Sequence, residues 1–120
     1  MNTKDFLEFL AARKDEVTKE ADTLIKEERK DESSFLKAKA NIYDVFTSIT
    51  QVAEKSAGED IERFKKFFEE KADIIPANWR QSLENAKEHN DARKTLIEEN
   101  KLAAVDEIID KFRKTFGGDN

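Results

Sequence analysis

The chain has 120 residues, 41% of them charged and 38% hydrophobic, with a formal net charge of −5. It contains no cysteine, one histidine, one proline and three glycines. That composition rules out disulfides, thiolate metal sites and thiol nucleophiles, and it argues against general nucleic-acid binding, which needs a basic surface to neutralise phosphates.

Apolar side chains recur three and four residues apart along most of the sequence, and turn formers are scarce. Both features predict a single all-α domain over residues 1–120. The expected architecture is an antiparallel helical bundle of four to five helices, three long ones plus a short helical hairpin. Disordered chains lack such periodicity, and nine Phe, one Trp and one Tyr supply a core. No apolar run approaches the roughly 20 residues that span a membrane. Residues 6–12, interrupted by Glu8, are not expected to be a signal peptide, so the cytoplasm is the expected compartment.

The first helix is predicted to start with Thr3 as N-cap and to run to about Lys30, with Phe6, Leu10, Val17, Ala21 and Leu24 on one face. Capping side chains between Asp31 and Ser34 offer a restart. A second helix follows over about 34–57, built on Phe35, Ala38, Ile42, Val45, Ile49 and Val52 and widened by Leu36, Tyr43, Phe46 and Ala53. Between Ala40 and Ala53 only Asp44 is charged, so this reads as the central helix, covered on more than one side. Gly58 is its expected stop.

The third helix opens at Glu59 and Asp60 and ends near Ile75, with Ile61, Phe64, Phe68, Ala72 and Ile75 on one side. Pro76 forces a break, and the capping-box spacing of Asn78 and Gln81 starts a fourth helix at about Trp79. Trp79, Leu83 and Ala86 extrapolate to polar Asn90 and Arg93. Run backwards, the stripe of Phe116, Phe112, Ile109, Val105 and Leu102 meets Glu98 and Thr95. The two stripes fail to join, which fits two helices or one bent helix with two partners; a break at Asn90 or Asp91 leaves a final helix of about 25 residues, ended by Gly117 and Gly118.

Catalytic chemistry has little to work with. His89 is the single histidine, so triads and paired-histidine metal sites fail, and it reads as an exposed or capping residue at a helix junction. No clustered glycines precede a helix to cradle phosphate. Glu69, Glu70 and Asp73, followed beyond Pro76 by Glu88 and Asp91, resemble the paired acidic motifs of MazG-type all-α pyrophosphohydrolases. That resemblance covers about 23 residues and implies magnesium-dependent cleavage of nucleoside triphosphates. In a hairpin centred near Pro76, however, Asp73 and Glu88 are offset by about 13 Å along the axis, and a solvated charged face explains these acids better.

Residues 61–68 have the pattern of a membrane-surface helix, but the flanking acids would repel anionic lipid, and the Phe spacing is what a core needs. The reading adopted is a non-enzymatic helical module that self-assembles or binds a protein partner, with no cofactor. Ile108, Phe112 and Phe116 are the expected contact residues, with Trp79 as an anchor; the competing reading puts the first three in the chain's own core and makes Trp79 a lid on the hairpin of helices three and four.

Overall fold

The computed structural model describes residues 2–117. It contains α1 (Lys4–Lys26), α2 (Lys30–Ala57), α3 (Ile61–Ile74), α4 (Ala77–Glu88) and α5 (Ala92–Phe112), closed by a π-helical turn over Arg113–Gly117. The all-α bundle expected from the sequence is the architecture found, with no strand among the described residues. At 28 residues α2 is about 42 Å long, and it accounts for most of the 47 Å long axis.

The helix ends are set by local hydrogen bonding. α1 stops earlier than expected because Glu28 adopts a left-handed conformation, φ 61°. The amides of Arg29 and Glu28 then donate to the carbonyls of Leu24 and Ile25 at 2.8 and 3.0 Å, a Schellman closure without glycine. α4 ends the same way. Asn90 is left-handed at φ 55°, and the Asp91 and Asn90 amides reach the carbonyls of Ala86 and Lys87. Asp91 then caps α5 by accepting from the Lys94 amide at 3.0 Å. Gly58, also at positive φ, ends α2, and Asp60 caps α3 through the Glu62 and Arg63 amides.

Two expected caps are not used. Thr3 occupies the N-cap position of α1, but its hydroxyl donates to Glu54 on α2 at 2.5 Å, and Asn2 accepts the Lys4 amide instead. Asn78 lies inside α4, which starts at Ala77 directly after Pro76; the Pro76 carbonyl accepts from the Trp79 and Arg80 amides.

Cross-helix contacts define an up-down-up-down arrangement. Lys14 of α1 meets Asp44 of α2, and Ser33 of α2 meets Ala21 of α1, so these helices are antiparallel. α5 runs parallel to α2, with Arg93 near Asp31 and Phe35 and Glu107 near Tyr43. Between them, α3 and α4 form one broken leg. Phe64 meets Phe116, Phe68 meets Phe112, and Trp79 meets Lys101, all in a single antiparallel register against α5. Ile75 and Pro76 both keep right-handed helical backbone, so the junction is a kink. Across it the leg changes neighbour: α3 packs mainly on α2 and α4 on α5, with little contact between the two short helices.

The core is unequal along its length. At one end Phe6, Phe9, Phe46, Phe64, Phe68, Phe112 and Phe116 form a network of ring contacts joining α1, α2, α3 and α5. Phe68 and Phe112 are stacked at 3.8 Å with an interplanar angle of 1°, and Phe6 presents its edge to both at 5.8 and 5.7 Å. The π turn carries Phe116 onto Phe64 at 5.0 Å. Towards the other end Phe35 is buried, but small residues are frequent, among them Ala21, Ser33, Ala40, Ala86 and Ala104. There the Ser33 hydroxyl, fully buried, donates to the Ala21 carbonyl at 2.8 Å, which satisfies it without water.

Midway, Glu107 of α5 ties together three helices. Arg13 Nε donates to its two oxygens at 3.0 and 3.2 Å, and the Tyr43 hydroxyl donates to Oε1 at 2.6 Å. Burial pushes the Glu107 carboxyl up, but the hydrogen bonds from Tyr43 and Arg13 outweigh it and hold the group below its ordinary value.

Phe68→Ala should destabilise the fold by about 3–5 kcal/mol in chemical denaturation, because it opens a cavity beneath two other rings. Glu107→Gln should cost about 1 kcal/mol at neutral pH, the pair being partly solvated. The folded carboxyl titrates below the unfolded one, so its contribution is complete above about pH 4.3 and is lost as pH falls through the folded value. The stability gap between wild type and Glu107→Gln should therefore close in acid, and a gap unchanged down to about pH 3 would refute this role.

Candidate functional site

The main concave feature follows from the aromatic stack. α3 and α5 are antiparallel neighbours, but the Phe68 and Phe112 rings stand between them and their backbones approach little. The gap is a groove of about 800 Å³. Phe68, Ala72, Ile109 and Phe112 form its floor; the α3 wall carries Lys66, Glu69, Glu70 and Asp73, and the α5 wall carries Asp106, Asp110 and Arg113. Arg80 reaches it from α4.

The register set by the Phe68–Phe112 pair orders these charges along the groove. Lys66 and Arg113 lie at one mouth and Arg80 at the other. Between them, Glu69, Glu70 and Asp73 face Asp106 and Asp110. Asp110 pairs with Lys114 at 2.9 Å, whereas Glu69, Glu70, Asp73 and Asp106 have no ion-pair partner among the described residues. Like charges also recur four apart within each wall, at Glu69/Asp73 and Asp106/Asp110, where they repel.

The five carboxylates considered for magnesium are not brought together. Glu69, Glu70 and Asp73 reach the groove, but Glu88 ends α4, about 18 Å along its 12 residues, and Asp91 is occupied as the cap of α5. Among the described residues, no three His, Asp or Glu converge as a metal site requires. His89 is exposed at the C-cap of α4, its Nδ1 2.8 Å from the Asn85 carbonyl oxygen, a capping role.

The expected contact residues are also relocated. Ile108 and Phe112 are 0% and 2% exposed and belong to the chain's own core; Phe116 and Trp79 are half-buried against it. Ile108 and Phe112 thus close the bundle from within, and the Phe112 ring also lines the groove. Phe64 and Phe68 are likewise buried, so these two rings of α3 are spent inside the fold. No helix among the described residues is long and apolar enough to cross a membrane.

Glu98 was the least expected core residue. It is 4% exposed, with its carboxylate 2.9 Å from Lys101 Nζ, and that ammonium lies 4.9 Å from the centre of the Trp79 ring. The signal was present as an acid at a stripe position with Lys three residues on, a spacing at which the two side chains meet on a helix. Trp79 of α4 thus lies over a part-buried ion pair within α5.

No protein-family model matches the chain, and no curated protein or solved structure matches it.

If the groove walls repel as their charges imply, Asp106→Asn should stabilise the fold by about 0.3–0.5 kcal/mol. Wild-type melting temperature should rise with salt up to about 0.3 M, and the variant should respond less. Destabilisation by Asp106→Asn would show that this carboxylate is held by a favourable contact.

Proposed function

We propose that the protein is a small, non-enzymatic helical bundle that acts by association in the cytoplasm, using the groove between α3 and α5 to hold a protein partner. The observation that carries this reading is the groove itself. Its floor is aromatic and aliphatic, its walls lie on two helices, and four of its five carboxylates have no ion-pair partner among the described residues. An occupant that brings cations between those walls would relieve their repulsion, so binding would be coupled to the stability of the bundle.

Exposed apolar residues add to the case. Ile74, directly after Asp73 at the end of α3, is 65% exposed, and Val52 on α2 is 53% exposed. Single exposed aliphatics are ordinary on protein surfaces, so the groove remains the stronger argument.

The test is position-specific crosslinking. A photo-reactive amino acid replacing Glu70 should give a discrete adduct in cells, while the same residue replacing Lys19, on the exposed side of α1, should not. Light scattering across a concentration series separates a second copy of the chain from a different partner. No adduct from position 70, together with a monomeric mass at every concentration, would overturn the reading.

A further inference from the structure

We infer that the groove between α3 and α5 takes a short basic amphipathic helix from a partner protein; the inference rests on the association reading and names the chemistry of the partner. The walls supply the charge argument. Five carboxylates, Glu69, Glu70, Asp73, Asp106 and Asp110, occupy the middle of the groove, and only Asp110 is neutralised by a neighbour. Lysine or arginine side chains lying between the walls would meet acids on both sides.

The basic residues at the mouths limit the length of the occupant. Lys66 and Arg113 close one end and Arg80 the other, so a long polycation would run into like charge. The acidic stretch, Glu69 to Asp73 on α3 and Asp106 to Asp110 on α5, covers little more than one helical turn, about 6 Å of axis. Two cationic residues four apart on one helical stripe, about 6 Å along its axis, match it. A small apolar residue on the same stripe would rest on Ala72 and Ile109, where the floor is not filled by rings. A helix is the shape that fits, because two antiparallel helices held apart by side chains present a channel that accepts a third.

A second copy of this chain is a poorer occupant. It carries a net charge of −5, and its approach to an acidic groove is opposed at long range.

The probe is a synthetic amphipathic peptide of roughly 14 residues, long enough for partial helix, with two Lys four apart at its centre and Ala or Leu beside them. A matched peptide with Glu in place of Lys serves as its control. Titration at about 20 mM salt, followed by amide NMR, should give saturable shifts concentrated at Ala72, Asp73, Asp106 and Ile109. The double change Asp73→Lys with Asp106→Lys should weaken the Lys peptide at least about tenfold. Glu20→Lys with Asp22→Lys, the same charge change on exposed positions of α1, should weaken it far less. A helical melt for each variant confirms that it is folded.

Shifts scattered over the surface, equal weakening by both double variants, or no saturable binding at low salt would overturn the inference. An adduct from position 70 without binding of the Lys peptide would leave the association reading standing and refute the basic partner. Absence of both would remove the two together.

Discussion

The stack of Phe68 on Phe112, edged by Phe6, is the contact on which the bundle turns. It joins the first turns of α1, the middle of α3 and the last turn of α5, segments that no local interaction could bring together. Each ring is at most 2% exposed, and each makes both burial and ring–ring contacts, so the three act as one unit. Phe46 on α2 and Phe116 in the π turn extend the same network. The wider π turn has a function here: it lets the chain end place a second ring beside Phe112 without unwinding α5.

The same rings that close the core keep α3 and α5 from closing on each other. Small residues do the opposite elsewhere: the Ser33 hydroxyl reaches the Ala21 carbonyl directly, so α1 and α2 come close. Residue size at the contact sets interhelical distance, and the large rings leave a channel on the outside of the α3/α5 pair. The groove is thus a by-product of core packing. Its charges are not, because neither the core nor helix formation requires carboxylates on both walls.

Much of this was readable from spacing alone. Phe6, Leu10, Val17 and Ala21 on α1, and Phe64, Phe68 and Ala72 on α3, are buried as their periods indicate. The breaks at Gly58, Pro76 and Asn90 are where the sequence marks them. The α1–α2 turn was harder to locate, because its left-handed residue is Glu28 and a glutamate carries no turn signal. Val52 fits the α2 stripe but is exposed, since a period of 3.6 drifts out of phase with a fixed spacing near the end of a 28-residue helix. The groove could not be read at all. It depends on which helices become neighbours, and the residues 106 and 73 that face each other lie far apart in the chain. The burial of Ile108 and Phe112 could not be decided from the sequence for the same reason: a stripe on one helix does not reveal whether its cover comes from within.

The position of the groove follows from the broken leg. Before Pro76 the chain lies against α2, and after it the chain lies against α5. An unbroken helix would keep one set of neighbours along its length and share its apolar face evenly. Pro76 removes one backbone donor and lets the leg change direction while Ile75 stays helical. As a result α4 covers the upper part of α5, with Trp79 over the Glu98–Lys101 pair, and α3 leaves the lower part covered only by its rings. The acidic residues of α3 and α5 then face each other across the part of the fold that the kink has opened. A single proline therefore decides both which surface of α5 is buried and which is left open.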